Sequence, residues 1–318
     1  ILMILLQICH VDINIRTRQK MRPIHFAVFN GHLNLVSYLL TFENILLNVK
    51  DKNKTTPLHN AIKFDMTAIA KILINDPRTL INFKAKKNHV PLSLCIKYRH
   101  YSIFKHILTR RDLKFDFLNE EGQNYLHLLA RYNQDKFLKA LHDTGKININ
   151  VKDSKGMTPL HYACSYNAIE TVELLISFPE TNVNADDNSK KIAPIHVAVM
   201  HGYIEIIYLL CSREDLNINA KMFDGKTPLH VACLFDRKDC VSALFIRNDI
   251  DINAVNPKLA TPLHLATYCG FSDIISLLLT HPQINRNAQL ANGHTAFDIA
   301  KTRKDQNILG LLMTSSAR

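Results

Sequence analysis

The chain has 318 residues, 47% of them apolar, and carries 39 Lys and Arg against 28 Asp and Glu, a net charge of +11. No apolar run approaches the roughly 20 residues of a membrane-spanning helix. Seven cysteines, an odd number with no C-x-x-C, exclude a disulfide framework and point to a reducing, cytoplasmic setting, or an extracellular one if a parent chain is secreted.

In chain order, residues 1–9 form an apolar run broken by Gln7, without the basic leader or cleavage site of a signal peptide. They read as the tail of a second helix in a partial leading unit, 1–13, so a longer parent chain is expected upstream. From residue 14 a helix start recurs. Arg22-Pro23-Ile24-His25 is followed by Thr56-Pro57-Leu58-His59, Val90-Pro91-Leu92-Ser93, Asn124-Tyr125-Leu126-His127 and Thr158-Pro159-Leu160-His161. Then come Ala193-Pro194-Ile195-His196, Thr227-Pro228-Leu229-His230, Thr261-Pro262-Leu263-His264 and Thr295-Ala296-Phe297-Asp298, every interval being 34 residues except one of 35. The Thr hydroxyl can accept a backbone N–H of the first turn, and Pro at the first helical position loses nothing by lacking one. The His can reach back to that cap or across to a neighbouring loop.

Six residues after the His slot stand Gly31, Asp65, Arg99, Asn133, Asn167, Gly202, Asp236, Gly270 and Lys304, and seven of these nine tolerate the left-handed end of a short helix. A second helix follows, apolar at the tenth, eleventh, thirteenth and fourteenth positions after the slot, as in Ile206, Ile207, Leu209, Leu210 and Ile274, Ile275, Leu277, Leu278. The units run 14–47, 48–81, 82–115, 116–149, 150–183, 184–218, 219–252 and 253–286. Each opens on Asn14, Asn48, Asn82, Asp116, Asn150, Asn184, Asn219 or Asn253, with Asn287 heading the last, and these side chains are expected to bond locally in a turn. The longer interval is placed in the finger 186–191. The last unit, 287–313, is a C-terminal cap that puts Lys301, Arg303, Lys304, Asp305, Gln306 and Asn307 on its outside, as a terminal unit must; 314–318 reads as a disordered tail. Val90, Ser93 and Tyr125 depart from the pattern, and losing a cap costs about 1 kcal/mol, so the third and fourth units are expected to be a soft joint or specialised.

The motif Thr227-Pro228-Leu229-His230-Val231-Ala232 and its copies resemble the ankyrin repeat, a β-turn plus two helices marked T-P-L-H-x-A with a period of about 33 residues. The resemblance covers essentially the whole chain. It implies a single all-α solenoid of helix-turn-helix units with β-hairpin fingers, stacked in a curve whose concave side recognises partners. The extra residue per period falls in the loop before the finger, as at Phe178-Pro179-Glu180-Thr181.

Seven histidines (His25, His59, His127, His161, His196, His230 and His264) share the cap slot. Copies one helix-packing distance apart, about 10 Å, are too far for two imidazoles to share a zinc at ~2 Å. They read as structural, and no catalytic, cofactor or metal site is expected. The stretch 220–227 satisfies a loose phosphate-loop pattern, yet its Thr227 is a helix cap and Gly225 a finger turn, without the preceding strand that such a loop needs. Cys95, Cys164 and Cys233 stand where other copies carry Ala or Val and read as small buried hydrophobes.

Two features exceed the scaffold. Five residues after the slot stand Phe64, Tyr98, Tyr132, Tyr166, His201 and Phe235, with Phe29, Met200, Leu234 and Tyr268 one position earlier, a row that either anchors a partner or packs between repeats. Residues 84–114 hold nine basic side chains against Asp112 alone, which suits an acidic protein surface, a phosphorylated group or a lipid head group, or is merely solvated. Nucleic acid fits less well because no reading motif is present. The expected function is a non-enzymatic, monomeric protein-binding scaffold within a longer chain. Its contacts are Phe64, Tyr98, Tyr132, Tyr166 and Phe235, with Lys84, Lys86, Lys87, Arg99 and Arg110 steering the encounter. The alternatives are one arm of a channel, toxin, signalling protein or enzyme whose effector domain lies elsewhere, and a basic scaffold for anionic membrane or nucleic acid.

Overall fold

The computed structural model describes residues 12–314. They fall into two compact units that divide between Asn148 and Ile149, and among them 18 α-helices form nine pairs with no strand. Of the expected leading unit 1–13 and tail 314–318, only Asp12, Ile13 and the Thr314 backbone fall among the described residues.

The first unit holds α1 (Pro23–Phe29) and α2 (Leu33–Leu40), α3 (Pro57–Lys63) and α4 (Thr67–Asn75), α5 (Pro91–Tyr98) and α6 (Tyr101–Leu108), and α7 (Tyr125–Arg131) and α8 (Asp135–His142). Each first helix packs on the next first helix and each second helix on the next second helix, so α3 lies between α1 and α5, and α6 between α4 and α8. The second unit repeats this with α9 (Pro159–Ser165) and α10 (Ile169–Ser177), α11 (Pro194–His201) and α12 (Ile204–Cys211), and α13 (Pro228–Leu234) and α14 (Lys238–Leu244). It ends with α15 (Pro262–Cys269) and α16 (Ser272–Leu279), then α17 (Ala296–Arg303) and α18 (Gln306–Thr314). Helices of seven to nine residues are too short to be stable alone. Side-by-side burial holds them, with Ile62, Leu73, Ile96 and Phe104 in the first unit and Val172, Ile207, Leu210 and Ile275 in the second shut off from solvent.

That burial corrects the second-helix stripe. Leu209 and Leu277 are only half-buried, while Cys211 and Leu279 join Ile206, Ile207, Leu210 and Ile274, Ile275, Leu278 in the core. The buried positions are thus ten, eleven, fourteen and fifteen after the slot, two i, i+4 pairs on one face.

The cap explains the register. At α13 the Thr227 backbone N–H donates to Nδ1 of His230 at 3.2 Å, and the Thr hydroxyl lies 2.9 Å from the same nitrogen. With Nδ1 accepting, the proton of a neutral ring sits on Nε2, which donates to Ala260 O, 30 residues on, at 2.9 Å. The same link runs from His25 to Val49 O at 3.1 Å, from His59 to His89 O at 3.3 Å and from His161 to Ile192 O at 2.8 Å. One imidazole therefore both starts a helix and ties it to the next finger. Burial lowers the pKa of His25, His161, His230 and His264, and brings His59 and His196 down to about 4, so the rings are held neutral. Ser93 makes only the local half of the device: its hydroxyl accepts from Val90 N–H at 3.0 Å and donates to Val90 O at 2.8 Å.

All nine residues six after the slot take the left-handed conformation, including Arg99 (φ 62°) and Lys304 (φ 56°), which gain nothing from their residue type. The fingers close as tight turns, as where Asp153 N–H donates to Met157 O and Gly156 N–H to Asp153 O, each at 3.0 Å. In the 35-residue unit the equivalent closure is Asp187 N–H to Ile192 O, one residue longer. Gly156 and Gly225 are required there twice over: their φ is 81° and 76°, and a Cβ would stand 2.3 Å from Asn188 N and 2.5 Å from Pro257 Cδ.

The Asn row is not a set of local turn-formers. Asn48 Nδ2 donates to Arg78 O at 2.7 Å while its Oδ1 accepts from Leu80 N–H at 2.8 Å, across 30 and 32 residues. Asn14, Asn82, Asn150, Asn184, Asn219 and Asn253 make the same pair of hydrogen bonds to the loop that closes their own repeat, after its second helix. An amide offers a donor and an acceptor side by side, which is what one peptide N–H and a carbonyl two residues away require.

Candidate functional site

In the first unit the ends of the first helices carry Phe29, Phe64, Tyr98 and Tyr132. Phe29, Phe64 and Tyr132 are exposed and Tyr98 is half-buried. Phe29 meets Phe64 edge to face with centroids 5.5 Å apart. Cations lie beside the rings: Lys63 Nζ is 5.1 Å from the Phe64 centroid, Lys97 Nζ is 5.6 Å from that of Tyr98, and Arg99 donates to the Tyr132 backbone carbonyl at 3.3 Å. The placement of the lysines follows from the repeat, because the position four after the slot is Lys63, Lys97 and Arg131 in consecutive repeats. Beside this row the third finger, a 3-10 turn over Lys86–Asn88, exposes Lys84 and Lys86; the side chain of Lys87 lies outside the described residues.

In the second unit the position four after the slot is neutral throughout: Ser165, Met200, Leu234, Tyr268 and Thr302. Tyr166 and Phe235 are about half exposed and Tyr268 is 68% exposed. Tyr166 stacks on Tyr162 at 6.3 Å, and Tyr162, itself buried, donates to Asp153 Oδ2 at 2.8 Å. An apolar groove of about 450 Å³ lies between the fingers and first helices of the last two repeats, within the second unit, lined by Leu265, Tyr268, Leu290 and Ile299 with Lys258.

Arg110 does not stand free to steer an encounter. Its guanidinium donates to Ile74 O, Asp76 O and Thr79 O of the preceding loop and is paired with Asp112 at 2.8 Å, leaving the side chain 17% exposed. Arg213 with Asp215 and Arg247 with Asp249 hold the loops before them in the same way, and Asp76-Pro77-Arg78 does it with the pair reversed. Each Arg holds its partner carboxyl below the usual carboxylate range. The signal for this clamp is in the sequence: Arg-x-Asp returns at 110–112, 213–215 and 247–249 in the same repeat slot.

The phosphate-loop lookalike is a closed finger. Met222 N–H donates to Lys226 O, Lys226 pairs with Asp224, and Thr227 caps α13. Cys95, Cys164 and Cys233 are fully buried and their thiols are pushed up by desolvation, which makes them inert packing groups. Each cap histidine sits in its own repeat with Nδ1 turned to a helix start, and among the described residues no three His, Cys, Asp or Glu converge on one point. No described helix is long and apolar enough to cross a membrane.

A family model described as ankyrin repeats matches residues 1–88, 92–187 and 177–256, and a single ankyrin-repeat model matches 258–289. No curated protein matches the chain.

Proposed function

Since the chain belongs to the ankyrin-repeat family, whose repeats are protein-interaction modules, we propose that it is a non-enzymatic scaffold whose first unit binds an acidic protein surface. Contact runs along the side built from fingers and first-helix ends, which in this family is the concave one. Phe64, Tyr98 and Tyr132 are the anchors, and Lys63, Lys84, Lys86, Lys97 and Arg99 supply the field. In the second unit Tyr166 and Phe235 offer neutral contacts of the same kind. The observation that carries the reading is the alternation of rings and cations. An exposed aromatic beside a cation gives both apolar area and charge complementarity at one point, the combination that anchors interfaces. The exposed faces of Phe64, which also packs on Phe29, and of Tyr132 support an anchoring role.

The test begins with proximity labelling by the intact chain and continues with binding kinetics against the recovered protein. Reversing charge at Lys63, Lys97 and Arg99 should slow association about tenfold and flatten its salt dependence. Phe64→Ala with Tyr132→Ala should speed dissociation while leaving the melting temperature within a few degrees of the parent. An unchanged association rate, or a loss of affinity that merely tracks a loss of melting temperature, would sink the reading.

A further inference from the structure

We propose a second, separate site in the first unit: a cleft for a small polyphosphoryl anion between α6 and α8, on the second-helix side and away from the aromatic row. The cleft has a volume of about 490 Å³ and is lined by Tyr101 and Lys105 from α6 and by Lys136, Lys139 and Ala140 from α8, with Asp143 among its walls. Lys136 and Lys139 are three apart and share one helix face, where like charges repel. Lys105 occupies the slot of Lys139 one repeat earlier, so packing α6 on α8 brings a third ammonium to the same hollow. None of the three makes an ion pair among the described residues, and Asp143, the only lining acid, lies 4.0 Å from His142. Three ammonium groups against one carboxylate around a concavity leave an excess of positive charge that an anion bearing several charges relieves.

The donors define the ligand further. Thr109 and Thr144 line the cleft too, but their hydroxyls donate to His106 O and Leu141 O, so they offer only lone pairs. The available donors are the ammonium groups and the Tyr101 hydroxyl, whose ring is fixed against Phe137 with centroids 5.0 Å apart. Lysines are compact charges on flexible stems and suit groups with oxygens on every side, whereas a planar carboxylate is better matched by Arg. A ligand with two or more phosphoryl groups meets this set, whether it is a free polyphosphate or the head group of a phosphoinositide.

The experiment is calorimetric titration of the intact chain with inorganic tripolyphosphate, alongside sedimentation with phosphatidylcholine vesicles doped with phosphatidylinositol bisphosphate. The expected result is one saturable tripolyphosphate site weakened at least ~10-fold by Lys136→Gln with Lys139→Gln. The pair Lys52→Gln with Lys54→Gln, which removes equal charge elsewhere in the unit, should change it less than about twofold. All four side chains are exposed, and unchanged melting curves check that each variant folds. Vesicle binding lost in the first pair assigns the lipid source; tripolyphosphate binding without vesicle binding assigns the soluble one. Equal weakening by both pairs, or no saturable tripolyphosphate binding, overturns the site.

Discussion

The two units share a scaffold and differ in charge. Residues 1–148 carry 23 Lys and Arg against 11 Asp and Glu, net +12, whereas residues 149–318 carry 16 against 17, net −1. The difference sits in exposed or half-exposed slots. The second helices of the first unit bear Lys71, Lys105, Lys136 and Lys139 against Asp135, and those of the second bear Glu170, Glu173, Glu205, Asp239 and Asp273 against Lys238. The slots that make the fold do not differ in this way: the cap histidines, the left-handed helix ends and the bridging asparagines recur in both units. Burial and backbone geometry constrain those positions in every copy, while solvent leaves the others free to be charged for a purpose.

Acid should break the symmetry of the scaffold first. The first unit holds three cap histidines, His25, His59 and His127, and the second four, His161, His196, His230 and His264; burial depresses the pKa of His25 and His59 and of all four in the second. Above pH 6.5 these groups are neutral in both folded and unfolded chains and have no effect on the balance. As pH falls through 6.5 the unfolded chain takes up protons that the folded chain refuses, so stability is lost down to the folded pKa. For His59 and His196, each lowered to about 4, the full loss is on the order of 3 kcal/mol apiece. Hydrogen exchange at pH 7 and pH 5, corrected for intrinsic rates and taken at salt that screens surface repulsion, should show the second unit losing more protection than the first. Loss led by the first unit would mean that net charge, not the cap, governs acid stability.

Removing a single cap should have the next largest effect. His161→Ala leaves the Thr158 N–H and Ile192 O without their ring partners in buried surroundings, which should cost about 2–4 kcal/mol in urea unfolding. Ser93→Ala in the first unit removes only a local pair and should cost about 1 kcal/mol. Equal costs would show that the tie to the next finger adds nothing.

A smaller contrast separates two neighbouring cations. Arg110→Ala releases three carbonyls and an ion pair and should lower stability by about 1–3 kcal/mol. Arg111→Ala, at an exposed position, should change it by less than about 0.5 kcal/mol. Thermal melts of both variants decide whether basic residues in this stretch clamp loops or stand in solvent.

What could be read from the chain follows the range over which each residue acts. The cap and the left-handed slot act within one helical turn, so Thr227, His230 and Gly270 announce their roles locally. Asn48 does not, because its partners lie 30 and 32 residues away and an Asn beside a turn looks the same whether it bonds inward or outward. Arg110 was legible in principle, since its Arg-x-Asp neighbours keep the repeat interval, but a window on 84–114 shows only a run of positive charge. The aromatic slot identifies Phe64, Tyr132, Tyr166 and Phe235; their exposure, and the lysines lying over Phe64 and Tyr98, depend on side-chain packing that spacing does not encode. The division after Asn148 has no linker to mark it.

The one departure from the bridging asparagines offers the finest test of the shared scaffold. Asp116 stands in that row within the first unit, and a carboxylate can accept a peptide N–H but cannot donate to the carbonyl two residues before it. Asp116→Asn supplies the missing donor at an exposed position, and the rule of two bonds per unit then predicts a gain of about 0.5–1 kcal/mol in urea unfolding. Asn150→Asp makes the reverse exchange in the second unit, where Asn150 donates to Glu180 O at 2.7 Å and accepts from Asn182 N–H at 2.8 Å, and should lose a similar amount. Equal and opposite shifts would show that the bridge has one value wherever it occurs. A loss from both changes would mean that Asp116 has been fitted to its own surroundings, and that the scaffold, like the surface, is tuned unit by unit.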